Sequence, residues 1–337
     1  MSDQPLVSIC IPTYNRAEMV SKAIESALGQ TYQNIEVIVV DNASTDNIEE
    51  IVGSYDDQRL TFVKNKENLG LFGNFNRCIE LYNGSFLHIL HSDDHIDPYF
   101  TEICVAFFES NPGVFLTCTS SRKITETNIL ENKIFDENFI LKAPEGFRKL
   151  LSERCFISCP SVMVRRGLYE ELGKFSLEYP YSSDYYQWLR VSRFYDIGYI
   201  SDAWVNYKIG EHSESYRLLF KTPLGYMDTL KIHMAIISEL GEEIENYSSE
   251  INESLKRFIG DCIYAGFTRS DKMDNFRPGI FIGIAKTARS LLLPNSIMKF
   301  AINLCYELLF LIIGLIISSS LLRNLFGKIF LKKECLY

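Results

Sequence analysis

The first 120 residues of this 337-residue chain switch back and forth between two hydrophobic periods, and few folds accommodate that pattern. Leu6 to Ile11 and Ile35 to Val40 are near-continuous apolar runs, and Leu60 to Val63, Ser85 to Leu90 and Val114 to Thr119 are further strand-like runs. Between them, Ala17 to Leu28, Ile48 to Tyr55, Leu71 to Leu81 and Tyr99 to Glu109 place apolar residues at helical spacing. Strands without a polar face are buried on both sides. In a strand–helix alternation this means a mostly parallel sheet with helices on both faces. The pattern predicts an α/β, Rossmann-like domain. Ligands of such sheets sit at the carboxyl ends of the strands, so the residues just after each strand are the candidates for chemistry.

Four polar clusters lie at or near those ends. Pro12-Thr13-Tyr14-Asn15-Arg16 follows the first strand, and Asp41-Asn42-Ala43-Ser44-Thr45-Asp46 follows the second. Asn68-Leu69-Gly70, with Asn76 further on, precedes the fourth strand, and His91-Ser92-Asp93-Asp94-His95 follows it. Any one cluster reads equally well as turn chemistry or a helix cap. Four on one edge point to a ligand. Adjacent carboxylates such as Asp93 and Asp94 suit a divalent cation that keeps several waters and also binds phosphate oxygens. A cation there would offset the charge developing on a departing diphosphate.

The segment 121–209 is less regular, with a strand expected at Ser161 to Arg165, a helix at Tyr185 to Phe194 and a strand at Ile197 to Ile200. From Leu218 onward the pattern is helical, with Gly241 and Gly266 as expected interruptions. A formal charge of -9 argues against a general nucleic-acid binder, which needs a basic footprint. The positive charge gathers at the end: from Lys286 onward seven basic residues face two acidic ones. The same region holds the apolar run Leu308 to Ile317, short of the about 20 residues a spanning helix needs. The stretch at about 298–333 therefore predicts an interfacial or re-entrant helix on an anionic membrane surface, with a core helix as the alternative. Nine scattered cysteines without a CxxC pair argue against a structural zinc site. No basic segment leading into an apolar one marks an export signal near Met1. Free thiols then place the chain in a reducing cytoplasm, peripheral on the inner face of the cell membrane.

Together the strings VSICIPTYNR, VIVVDNASTD, ENLGLFGNFNRCIE and LHSDDHIDP resemble a family 2 glycosyltransferase of the GT-A fold, of the bacterial surface-polysaccharide type. The resemblance covers roughly residues 6–215. It implies a catalytic domain over 1–215, with a nucleotide-sugar half to about 120 and an acceptor half over 121–215, then a helical region over 216–337. By this resemblance Pro12, Thr13, Tyr14, Asn15, Arg16, Asp41, Asn42, Ser44, Asn68, Gly70 and Asn76 hold the nucleotide-sugar, Asp41 through the base. Ser92, Asp93 and Asp94 correspond to the DxD-type motif, contacting ribose and a diphosphate bound through Mn2+ or Mg2+. His91 stands where many relatives carry Asp, and either Asp93 or Asp94 is the direct metal ligand.

Further along, SSDYYQWLR resembles the family's acidic segment before an aromatic-Trp-Leu helix, which makes Asp184 the general base. Asp184 reads equally as an N-cap, and Ser183 stands where the family often has a second acid. Tyr207-Lys208 and His212-Ser213 resemble the segment closing the domain, so Lys208 and His212 are expected near the diphosphate. Trp188 and Trp204 are expected in the core. The implied activity is metal-dependent, inverting transfer from a nucleoside-diphosphate sugar to an acceptor hydroxyl, with a lipid-linked oligosaccharide as the acceptor. A processive synthase is the first alternative, although Gln187-Trp188-Leu189-Arg190 is not the QxxRW motif of such enzymes. The second is a non-catalytic nucleotide-sugar-binding or scaffold protein of a membrane assembly complex. His91 and Ser183 favour it; the four aspartates oppose it.

Overall fold

β1 (Val7–Thr13) is the strand around which the first part of the chain assembles. All seven of its residues are buried, and it pairs in parallel with β2 (Ile35–Asp41) on one side. Helix α1 (Ala17–Leu28) follows β1 because Ala17, Val20, Ala23, Ile24 and Ala27 recur at helical spacing and bury one face against the sheet. Each fully buried Val or Ile in that seam contributes about 1.5–3 kcal/mol. The short α2 (Ile48–Gly53) leads to β3 (Leu60–Lys64), and α3 (Leu71–Leu81) to β4 (Phe86–Ile89), which pairs in parallel with the other side of β1. After the two-residue β5 (His95–Ile96), α4 (Phe100–Ser110) buries Phe100, Cys104 and Phe108 in the same core.

The computed structural model describes residues 4–125, 127–153, 155–210, 213, 222–268 and 278–291. His212 and the segment 298–333 lie outside the described residues. Two units divide the chain, Met1–Gly210 and Glu211–Tyr337.

In the first unit the chain continues through β6 (Val114–Ile124), β7 (Ile129–Asn132), β8 (Phe139–Leu141) and α5 (Glu145–Ser152). A 3-10 turn at Cys159–Ser161 precedes β9 (Met163–Arg165), then come α6 (Leu168–Leu172), α7 (Ser183–Phe194) and β10 (Asp196–Lys208). The strand order is β3-β2-β1-β4-β9-β6-β10-β5, with β7 beside β6 and β8 beside β10. β9 runs antiparallel to both β4 and β6, so β4 and β6 still point the same way.

Two strands run further than the sequence pattern indicates. β6 continues past Thr119 to Ile124, and β10 past Ile200 to Lys208. The extra residues are polar because their partners are polar. Ser120 Oγ donates to the Ser201 carbonyl at 2.9 Å, and Arg122 lies 2.8 Å from Asp97 and 4.4 Å over the Trp204 ring. The β6–β10 register shifts between Ile200 and Trp204, a bulge that breaks the hydrophobic period. α2 ends at Gly53 rather than Tyr55.

The second unit holds α8 (Leu224–Leu240), a 3-10 turn at Gly241–Tyr247, α9 (Ser248–Thr268) and α10 (Pro278–Ser290). Gly241 ends α8 with φ 51, but Gly266 does not interrupt α9, which runs through Thr268. α9 packs along α10 and buries Cys262 and Ala265, which outweighs the roughly 1 kcal/mol a helical glycine costs. Buried His233 crosslinks α8 and α9. Its Nδ1–H donates to the Thr229 carbonyl at 2.7 Å, leaving Nε2 to accept from Ser254 Oγ at 2.8 Å. No helix among the described residues is long and apolar enough to cross a membrane.

A buried amide braces the edge of the sheet where β2 and β3 end. Asn74 of α3 donates to the Val40 carbonyl at 3.0 Å and accepts from Asn65 Nδ2 at 2.9 Å. Asn74→Ala strands both partners and is expected to cost about 1–3 kcal/mol, read as a lower urea midpoint at unchanged slope.

Candidate active site

The strand register itself lines up the first residues of the site. Thr13 pairs with Asp41, and Asp41 with Lys64, so the last residues of β1, β2 and β3 stand in one row at the carboxyl edge. Two turns lead off this row and are stitched together. Asn15 takes a left-handed conformation at φ 49, which asparagine tolerates better than most residues. Its backbone N–H donates to Ser44 Oγ at 2.8 Å, and its Oδ1 accepts from the Thr45 N–H at 2.8 Å. Asp46 Oδ2 accepts from the Ala17 N–H at 2.8 Å, so the second turn caps the helix that follows the first.

Asp41 has no exposed side-chain surface, and both its oxygens lie 3.2 Å from the Ser44 N–H, with Lys64 Nζ at 3.9 Å. It shapes the turn from beneath, whereas the resemblance places it against the nucleobase. Asn42 closes the edge through four contacts: its amide donates to Asn68 Oδ1 at 2.8 Å and to the Gly70 carbonyl at 3.2 Å, and its oxygen accepts from Leu69 N–H at 2.9 Å and from Asn65 Nδ2 at 3.2 Å. Gly70, at φ 77, sits in the left-handed region that a side chain rarely adopts. Tyr14 is 44% exposed, while Pro12 and Thr13 are buried in β1. Asn76 stands apart from this group. Both ends of its amide are spent on the Phe175 backbone, at 2.9 and 3.0 Å, tying α3 to the loop before α7. Its amide therefore braces α3 against this loop.

The segment after β4 carries the acidic pair. The Asp94 N–H closes a turn onto the His91 carbonyl, at 3.0 Å, with Ser92 buried inside. Asp94 Oδ1 accepts from the Lys208 backbone N–H at 2.8 Å, so the last residue of β10 holds it through the main chain. His91 Nδ1 lies 3.4 Å from Asp94 Oδ2, and its ring rests on Phe75 with centroids 5.4 Å apart. Asp93 forms an ion pair with Arg16 from the first turn.

Burial pushes the Asp94 carboxyl above its ordinary range, opposed by the nearby His91. Burial opposes protonation of His91 as well, but the carboxylates of Asp94 and Asp93 outweigh it and the net shift is upward. One ligand atom from each of His91, Asp93 and Asp94 lies within 4.8 Å of the others. Asp94 Oδ2 and His91 Nε2 are buried without a hydrogen-bond partner. Unpartnered buried polar atoms beside a second carboxylate fit a divalent cation, and the carboxylate oxygens suit Mn2+ or Mg2+.

Asp184 opens α7, and its Oδ1 accepts from the Tyr185 N–H at 2.8 Å. Burial pushes its carboxyl up to about 6, moderated by that N–H and by His91 within electrostatic reach. The structure thus brings Arg16, His91, Asp93 and Asp94 together, with Lys208 contributing its backbone and Asp184 within electrostatic reach of His91. Trp188 is buried, as expected, and packs edge-on to Phe175. Sequence reasoning missed Lys64, Asn65, Asn74 and Asp46 as supports of the edge. One signal was available: Asn74 is a poor helix former set between Phe72 and Phe75 on the apolar side of α3.

Sheet order and site position define the class: this is the GT-A architecture of glycosyltransferases. Residues 8–173 match the family model "Glycosyl transferase family 2", and this segment belongs to that family. The chain is a glycosyltransferase. It is 29% identical over 215 residues to the UDP-Glc:alpha-D-GlcNAc-diphosphoundecaprenol beta-1,3-glucosyltransferase WfgD of Escherichia coli, covering 63% of this chain and 81% of that one. It is 28% identical over 218 residues to an uncharacterized glycosyltransferase of Haemophilus influenzae, covering 62% and 67%. The fold is shared with S. aureus TarS 1-349, solved in complex with UDP, at a TM-score of 0.64 and 18% identity over 84% of this chain and 79% of that one.

The raised carboxyl of Asp184 has a consequence for stability. The folded state holds this proton more tightly than the unfolded chain does. Its contribution is therefore fully present below the unfolded value near 4 and is lost as pH rises through about 6. At pH 8 the ionised group opposes folding. Asp184→Asn is expected to stabilise the protein by on the order of 1 kcal/mol at pH 8 and by almost nothing at pH 4, read by urea unfolding at both pH values.

Proposed function

We propose that this glycosyltransferase moves a sugar from a nucleoside-diphosphate donor to the hydroxyl of a lipid-linked saccharide, inverting the anomeric carbon with the help of Mn2+ or Mg2+. The observation that carries the reading is Asp184. It is a carboxyl pushed up to about 6 by burial at the head of α7, within electrostatic reach of His91, which itself lies against Asp94. Such a group is ionised at neutral pH yet basic enough to accept a proton from an alcohol as that alcohol attacks. Attack from the face opposite the leaving diphosphate inverts the centre.

Asp93 and Asp94, with His91, would hold the cation, which when bound offsets the charge on the departing diphosphate. Arg16 supplies a fork of donors suited to phosphate oxygens. Tyr14 offers an exposed ring for the base to stack on, next to the Asn15–Ser44 turn. Asp41, fully buried beneath that turn, would act on the base through the turn it fixes. Ser92, buried inside the turn that carries the acidic pair, would face the ribose. Lys208 and His212 would complete the diphosphate side.

The acceptor class is supported by two E. coli relatives, WfgD and WfaP, whose acceptor is alpha-D-GlcNAc-diphosphoundecaprenol. The basic, apolar stretch at 298–333 would hold the catalytic domain, roughly 1–215, at the cytoplasmic face of the membrane where such an acceptor lies.

With UDP-glucose and a GlcNAc-diphospholipid as probes, Asp184→Asn is expected to lower kcat by roughly 10²–10⁴ while UDP still binds. The wild-type rate should fall on the acid side of about pH 6, as the base takes up its proton. Proton NMR of the product should show the anomer opposite to that of the donor. A retained anomeric configuration, or an Asp184→Asn enzyme within tenfold of wild type, contradicts the assignment.

A further inference from the structure

Arg16 occupies an unusual place for a residue expected to grip phosphate. Its guanidinium is already committed to Asp93, one of the three groups that fit a cation. The pair is well sheltered, with side-chain exposures of 21% for Arg16 and 9% for Asp93, so water screens it only partly. The backbone of Arg16 is fixed. Its carbonyl accepts the Met19 and Val20 N–H groups at 3.0 and 3.1 Å and so starts α1. Only the side chain is left to move. Asp94, by contrast, keeps Oδ2 without a hydrogen-bond partner, 3.4 Å from His91. Of the two carboxylates, one keeps a buried oxygen without a hydrogen-bond partner and the other is paired with an arginine.

We propose that Arg16 is a latch on the cation site: it covers Asp93 until the donor arrives, then leaves the carboxylate for the donor's diphosphate and so frees Asp93 for the divalent cation. The exchange is favourable only when both ligands are present. A cation alone must break the Arg16–Asp93 pair and leave the guanidinium without its carboxylate. A diphosphate alone must draw Arg16 away and leave Asp93 unpaired beside Asp94. Together, each ligand takes the partner the other has released, and a planar guanidinium can meet two phosphate oxygens at once. Arg16 thereby makes the binding of cation and nucleotide cooperative, a coupling that is reciprocal by necessity.

The inference rests on the metal reading of His91, Asp93 and Asp94, and calorimetry separates the two. Titrations of MnCl2 into wild type, Arg16→Gln and Asp93→Asn are run with and without saturating UDP. Without UDP, Arg16→Gln is expected to bind Mn2+ about three- to tenfold more tightly than wild type, the size of a broken, partly sheltered ion pair. With UDP present the order should reverse, because the variant has nothing to hand to the diphosphate. Arg16→Lys, which keeps the charge but not the fork, should fall between. Unchanged Mn2+ affinity in Arg16→Gln overturns the latch. So does equal tightening with and without UDP, which would report only the loss of a nearby charge. Wild-type Mn2+ affinity in Asp93→Asn overturns the latch and leaves Asp94 with His91 for the cation, whereas no Mn2+ binding to wild type with or without UDP overturns the metal reading and the latch with it.

Discussion

The bond on which the site depends runs from the Lys208 backbone N–H to Asp94 Oδ1, at 2.8 Å. It joins the turn after β4 to the end of β10, two strands separated in the sheet by β9 and β6. β5 reinforces the same join: its two residues pair antiparallel with Val205 and Asn206 immediately before it. Without this tie the acidic pair would sit on a free turn. With it, Asp94 is fixed in a buried position while its other oxygen remains available, and Asp93 and His91 are placed by the same short turn.

Burial then sets the chemistry. Asp94 and Asp184 both keep their protons to higher pH than an exposed aspartate, because low-dielectric surroundings penalise the charged form. That penalty opposes folding at neutral pH and is offset by the apolar core buried around the sheet. The supports are local and numerous. Asp46 caps α1, the Asn65–Asn74 pair braces the edge, and Ser44 with Asn15 ties the first two turns into one platform. Ala43 stays at φ 61 within that platform, a left-handed backbone that costs a non-glycine residue on the order of 1–3 kcal/mol.

The first half of the fold was legible because its strands are apolar on both faces and its helices have one apolar stripe. α1 and α3 occupy the residues the spacing indicates, Ala17–Leu28 and Leu71–Leu81. The long ends of β6 and β10 were not legible. Ser120, Arg122 and Asn206 satisfy one another's neighbours rather than an apolar core, and a bulge breaks the period. Site residues divided along similar lines. The acidic pair and Asp184 could be singled out by type, but the directions of their side chains could not. Nothing in the local strings separates an asparagine that faces a ligand from Asn76, whose amide is consumed by a backbone across the fold. The Arg16–Asp93 pair joins two clusters that the sequence treats as independent.

The central claim is that the turn after β4 and the head of α7 form one catalytic centre, with the donor diphosphate on the first and the acceptor hydroxyl on the second. Anomalous diffraction from a crystal soaked with Mn2+ and UDP tests it most directly. A single manganese peak in contact with Asp93 or Asp94 is expected, with the diphosphate on the side of Arg16 and the uracil over the 41–46 turn. Manganese elsewhere, or UDP bound away from the carboxyl edge of β1 and β2, would contradict it.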